Sequence, residues 1–207
     1  MINAPITLRP DLQVIADLVP EGAKLLDVGC GDGTLLAWLG LNKGVDGRGI
    51  ELDAAQVYKA VACGLSVIQG DSNSDLADYP AQGYDYVILS QALQAMREPK
   101  AVLGQLLRIG RHAIVSVPNF AHWRNRLHLG VKGRMPVTKA LAYQWYDTPN
   151  IHFCTLSDFV ELCEQSAIII ERRIMVGDSG VPVGFYGKGL LANLLGQQGV
   201  FLLRKGS

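Results

Sequence analysis

Two aspartates flank a cluster of glycines in "LLDVGCGDGTLLAWL", residues 25–39. Asp27 stands two positions ahead of the first glycine, Gly29, Gly31 and Gly33 alternate through the turn, and Asp32 lies inside it between the last two. A glycine turn between an apolar run and a helical pattern admits close approach of a ligand to the backbone. The dinucleotide pattern is G-x-G-x-x-G, which places a pyrophosphate on a helix N-terminus. Here the spacing is G-x-G-x-G, one residue shorter. Each carboxylate would repel a pyrophosphate by about 4 kcal/mol at about 4 Å and an effective dielectric near 20.

The same carboxylates attract a ligand with positive charge. S-adenosylmethionine carries an ammonium and a sulfonium, so the charge pattern favours it over a dinucleotide. Further acids agree. Glu51 in "GIELD" ends an expected strand, where a carboxylate accepts hydrogen bonds from both ribose hydroxyls. Asp71 in "QGDSN" is placed to accept from an adenine amino group, with the Ser72 backbone near a ring nitrogen. Asp27, Glu51 and Asp71 thus end three successive expected strands. Plainer roles stand beside these. The turn can be a simple connection, and Glu51 and Asp53 can be no more than helix-start carboxylates, the better reading for Asp53. Asp32 reads as the cap of the helix after the turn, and Asp71 alone as a solvated loop acid.

Alternating strands and helices must position these groups. Residues 10–19 read as a helix with Pro10 in its first turn. Strands are expected at 23–28, 47–52, 65–70, 84–90, 112–118, 167–176 and 199–205. Helices are expected at 33–40, stopped by Gly40, at 53–64 with Asp53 as N-cap, around 99–110, and at 155–165 opened by Thr155 or Ser157. The alternation predicts an α/β fold: a doubly wound, mostly parallel seven-stranded sheet, Rossmann-like, with helices on both faces. The ligand crevice of such a sheet lies beyond the carboxyl ends of its central strands.

The 207 residues are expected to form one domain, 1–207, with an insertion at 119–152 and a glycine-rich connection at 177–198. Hydrophobic residues at 49% and charged residues at 18% exclude a disordered chain. Nineteen basic and nineteen acidic side chains balance, so no overall field draws the molecule to nucleic acid or membrane. Cys30, Cys63, Cys154 and Cys163 form no C-x-x-C pair and read as reduced thiols. "MINAPITLRPDLQ" lacks the form of a signal peptide, and no run of about 18 apolar residues occurs, so a cytoplasmic location is expected.

"LLDVGCGDG", "GIELD", "QGDSN" and "YDYVILSQALQAM" resemble the first four motifs of class I S-adenosylmethionine-dependent methyltransferases. More narrowly, "LRPDLQVIADLVPEGAKLLDVGCGDGTLLAWL", "SQALQAM" and "VPNFAHWRNRLHLGVKGRMPVT" resemble the MetW family of methionine biosynthesis, along nearly the whole chain. The resemblance implies a methyltransferase-like fold binding S-adenosylmethionine or S-adenosylhomocysteine. The implied cofactor residues are Asp27, Gly29, Cys30, Gly31 and Gly33 in the turn, Glu51 and Leu52 after the second strand, Asp71 and Ser72 after the third, and Ser90 after the fourth. It also implies homoserine O-acyltransferase (MetX) as partner.

Catalysis is a separate matter, because the fold hosts many activities. No Asn/Asp-Pro-Pro-Tyr turn or Pro-Cys pair follows the fourth strand; "LSQALQAM" stands there, and Ser90 and Gln91 are poor bases. His152, before a helix, is the weak candidate for a general base. His112 reads as structural, and His122 and His128 lack metal-ligand spacing. From Pro99 to Tyr146 no acid occurs, while eight basic residues do; Asp46 to Glu98 carries eight acids against three basic residues. "HWRNRLHLGVKGR" therefore either covers the pocket and holds an anionic acceptor, docks on an acidic partner, or is a solvated basic face anchored in the core by Trp123. No nucleic-acid motif accompanies it. The glycine-rich segment lacks phosphate-loop spacing; its apolar cluster, Val181, Val183, Phe185, Tyr186, Leu190, Leu191, Leu194 and Leu195, packs on the sheet or marks an interface. The primary expectation is an accessory partner that activates the acyltransferase. The alternative is a working methyltransferase of a small anionic metabolite, and an NAD-linked oxidoreductase is the distant third.

Overall fold

The structure is a computed structural model that describes residues 6–138, 141, 143–177, 182–183 and 190–206. Its strands are β1 (Lys24–Val28), β2 (Asp46–Glu51), β3 (Ser66–Gln69), β4 (Tyr84–Ser90), β5 (Gly110–Pro118), β6 (Ile168–Val176), β7 (Pro182–Val183) and β8 (Gln198–Lys205). The helices are α1 (Pro10–Leu18), α2 (Thr34–Lys43), α3 (Ala54–Ala62), α4 (Pro99–Ile109), α5 (Trp123–Lys132), α6 (Leu156–Gln165) and α7 (Leu190–Leu195).

All strands join one sheet in the order β3-β2-β1-β4-β5-β8-β6-β7. The five strands from β3 to β5 are parallel, whereas β8 runs antiparallel between β5 and β6. The expected seven strands are present, and the two-residue β7 extends one edge antiparallel to β6. Chain order reverses between β1 and β4, the switch point at which a doubly wound sheet opens a crevice.

The central strands are buried on both faces, so they read as nearly continuous apolar runs. Period-two alternation sorts them. Leu26, Val28, Val87, Leu89, Val115 and Val117 face α4 and α6, where the Phe159 and Phe201 rings meet at 4.5 Å. Leu25, Ile88, Ile114 and Val200 face the other way, against Ile15 of α1 and Leu36 and Leu39 of α2. Asp27, Ser90 and Ser116 share this second face by strand period, each at or near the carboxyl end of its strand.

Helix ends follow local chemistry. Asp53 accepts the Ala55 N–H at 2.9 Å, and Thr155 forms a reciprocal capping box with Asp158. Gly40 does not stop α2. The helix continues to Lys43 and ends at Gly44, whose φ of 61° provides the left-handed cap. Two helices were not foreseen, α5 inside the insertion and α7 inside the glycine-rich connection. Val181, Phe185 and Tyr186 of the expected apolar cluster lie outside the described residues.

Candidate functional site

The glycine turn joins β1 to α2 and is tied down by β2. The Gly29 and Cys30 N–H groups both donate to the Ile50 carbonyl, at 2.8 and 3.3 Å. The Gly31 N–H donates to Glu51 Oε2 at 2.8 Å, and the Asp53 N–H to Glu51 Oε1 at 3.0 Å. One carboxylate thus fixes the turn and the start of α3. Gly31 has φ of 57°, which glycine adopts without strain, and a Cβ there would meet open space. Gly33 differs: its φ is 77° and a Cβ would collide with Leu65, so it serves the packing of α2 against α3.

A cleft of about 300 Å³ opens over this turn. Its floor is Asp27, Gly29, Cys30 and Gly31, and Ser90 closes it from β4. Asp32, Thr34 and Leu35 form the α2 side, and Thr7, Arg9 and Leu12 the amino-terminal side. Among the described residues, Arg9 is the only cation in this lining.

Asp27 is 3% exposed, and no donor among the described residues reaches its carboxylate. Burial, reinforced by the Glu51 charge, pushes its carboxyl up to about 7. A cationic group entering the cleft would supply the missing counter-charge. Asp32 takes the opposite course. Its Oδ1 accepts the Thr34 hydroxyl at 2.6 Å and the Thr34 N–H at 3.0 Å, and the hydroxyl bond chiefly holds it below its usual range. It was expected to cap α2; Gly33 holds the N-cap position instead, and Asp32, one residue earlier, accepts the first N–H of the helix. Burial raises the Cys30 thiol to about 12, so no thiolate is available in the cleft near neutral pH.

The other expected site residues lie apart from this cleft. Glu51 is half-buried and reaches the turn through the Gly31 N–H without lining the cleft, and Leu52 is exposed at the next position. Asp71 and Ser72 line a second cavity of about 350 Å³ with Asn73, Arg97, Glu98 and Gln105. The Asp71 carboxylate is engaged within its own loop, accepting the Asn73 N–H at 2.9 Å and the Asn73 side-chain amide at 2.8 Å; these bonds hold it below its usual range. His152 is exposed, its Nε2 3.4 Å from the Arg97 carbonyl, and it does not line the cleft. Among the described residues no cluster of three metal-binding side chains occurs.

Sequence reasoning missed the amino-terminal wall. Arg9 in "LRPDLQ" carried one signal, a lone cation just ahead of a proline-started helix. It also missed Gln91, whose φ of 51° bends the chain after β4. Its side-chain amide donates to Asp11 at 2.9 Å and to Gln198 at 3.1 Å, tying α1 and β8 to the end of β4.

Residues 9–203 match the family model described as "Methionine biosynthesis protein MetW". The chain belongs to the MetW family. A MetW-family relative from Rhodopirellula baltica, named as a bifunctional methionine biosynthesis protein MetXA/MetW, is 34% identical over 182 residues. The match covers 84% of this chain and 29% of that relative. Solved structures agree with the fold. A SAM-dependent methyltransferase from Thermotoga maritima matches with a TM-score of 0.68 at 16% identity, over 95% of this chain and 87% of that one. The [4+2]-cyclase SpnF matches with a TM-score of 0.65 at 16% identity, over 94% and 80%. The MetW chain therefore has the class I methyltransferase fold. A cyclase on the same architecture illustrates why the fold alone does not fix the reaction.

Proposed function

We propose that this MetW-family chain binds S-adenosylmethionine, or its product S-adenosylhomocysteine, in the glycine-turn cleft and acts as the activating partner of homoserine O-acyltransferase (MetX) in the cytoplasm. The observation that carries the reading is the cleft's charge pattern: a buried Asp27 on the floor, with no hydrogen-bond donor among the described residues, and one arginine, Arg9, on the rim. An amino acid head group presents the complementary pair, an ammonium for Asp27 and a carboxylate for Arg9. Glu51 keeps lone pairs free on both oxygens for ribose hydroxyls beyond its two backbone bonds. The cofactor, when bound, supplies an activated methyl group on a sulfonium. What these residues do is hold and orient it.

Three features favour an accessory role over methyl transfer. Ser90 Oγ lies 3.2 Å from Ser116 Oγ, and among the described residues no base forms a hydrogen bond with it. The Cys30 thiol is held protonated, and His152 is outside the cleft. The fusion in the Rhodopirellula relative supports the acyltransferase as partner, because one polypeptide keeps two domains at high effective concentration. Co-expression with the host's homoserine O-acyltransferase is the test. Co-elution and an acyl-transfer rate that responds to the chain, with and without S-adenosylmethionine, are expected. Separate elution with an unchanged rate would end the reading.

A further inference from the structure

The insertion presents an outward apolar surface that its own fold does not use. Of the helix α5, only Asn125 is buried. Trp123, Leu127 and Val131 recur at intervals of four and so form one stripe on the side away from Asn125. Leu127 is 56% exposed and Val131 74%. Trp123, a core anchor in one of the three readings of this segment, is itself exposed, with the Arg124 guanidinium 5.3 Å from its ring. The buried anchors are His122 and Asn125, whose amide donates to the Asn119 and Phe120 carbonyls at 3.3 and 3.2 Å. The following loop adds Tyr143, Trp145 and Tyr146, the last two about 70% exposed and meeting edge to face at 5.7 Å. Helices in globular proteins turn their apolar stripe inward, and concentrated exposed apolar surface marks an interaction site.

Charge narrows the occupant. Arg124 and Arg126 flank the stripe by helical angle, Lys132 and Arg134 follow, and no acid intervenes before Asp147. A two-fold association of this surface with itself would set these cations against each other. Pairing with the acid-rich region of a second copy would be head-to-tail and need not close. Among the described residues the cleft lining contains none from the insertion, so an anion bound in the cleft is not what these cations hold. Tryptophan, tyrosine and arginine are the residue types that dominate protein interfaces energetically.

We propose that the Trp123–Leu127–Val131 stripe of α5, with Trp145 and Tyr146, is the surface that docks onto an acidic face of homoserine O-acyltransferase. This rests on the partnership proposed above. It separates the molecule into two working regions, a ligand cleft at the sheet's switch point and a docking surface on the insertion.

The test measures the affinity of the full chain for the host's homoserine O-acyltransferase by calorimetry at low and raised sodium chloride. Wild type is compared with Leu127→Asp, Trp145→Ala and, as a control on a distant exposed aromatic, Tyr58→Ala. Circular dichroism and thermal unfolding establish that each variant folds. Leu127→Asp and Trp145→Ala are expected to weaken binding about tenfold or more. Tyr58→Ala is expected to leave it unchanged, and salt to weaken the wild-type complex. Wild-type affinity in folded Leu127→Asp and Trp145→Ala would overturn the surface while leaving the partnership intact. No binding by wild type would overturn both. Phosphatidylserine vesicles probe the rival occupant: sedimentation of wild type with them, lost in the two variants while acyltransferase binding persists, would assign the surface to a membrane and refute the proposal.

Discussion

Glu51 Oε2 accepts the Gly31 backbone N–H at 2.8 Å, across twenty residues of sequence. The bond makes the end of β2 the support of the glycine turn, so the residue proposed to meet the ribose also shapes the floor of the cleft. Glu51→Ala is expected to weaken S-adenosylmethionine binding about ten- to a hundred-fold, the range for charged hydrogen bonds of about 1.5–3 kcal/mol. Glu51→Gln keeps one acceptor and should fall between the two. Calorimetric titration of the three proteins checks the order; equal affinities would remove Glu51 from the site.

Arg9 makes a more selective prediction. It pairs with Asp11 at 3.2 Å but is itself largely exposed, so its contribution is modest. Arg9→Ala should weaken S-adenosylmethionine several-fold and leave decarboxylated S-adenosylmethionine unaffected. A parallel loss for both ligands would mean that Arg9 shapes the wall rather than meeting a carboxylate.

The Asp27 carboxyl, raised to about 7 by burial and the Glu51 charge, makes folding depend on pH. The folded chain retains this proton where the unfolded chain, near 3.8, has lost it. The folded state therefore binds more protons between those two values, and stability falls as pH rises through that window. A shift of about three units corresponds to an upper bound on the order of 4 kcal/mol. Asp27→Asn should match wild type near pH 4 and unfold several degrees higher at pH 8, while binding ligand poorly. Thermal unfolding across this range decides it, and a lower melting temperature for Asp27→Asn at pH 8 would contradict the argument.

Thiol reactivity follows from burial. Cys30, Cys154 and Cys163 are raised to about 12, 11 and 12 mainly by desolvation, whereas Cys63 is exposed at the end of α3. Iodoacetamide at neutral pH should modify one cysteine per native chain, Cys63, and all four after unfolding. Mass spectrometry of the alkylated protein reads this directly.

Much of the architecture was legible because local signals agreed. The apolar runs of β1, β4 and β5 and the caps at Asp53 and Thr155 point to the same elements as the tertiary structure. The turn with Asp27, Gly29 and Gly31 was equally legible, since carboxylate and glycine positions relative to a strand end carry chemical meaning. Gly40 misled because α2 packs well enough to carry a glycine in its interior, leaving Gly44 to cap it. Helix α5 was hidden because its apolar stripe faces outward, and the reading that placed Trp123 in the core fails for the same reason. Arg9 and Gln91 escaped notice because their positions depend on α1 and β8 folding back on the sheet, which no local pattern specifies.

Titration of the purified chain with S-adenosylmethionine tests the central claim most directly. Saturable heat for one site per chain, competed by S-adenosylhomocysteine and shifted to about ten- to a hundred-fold weaker affinity in Glu51→Ala, is the predicted result. No heat and no thermal stabilisation at millimolar ligand, or undiminished heat in Glu51→Ala, would contradict the account of the cleft.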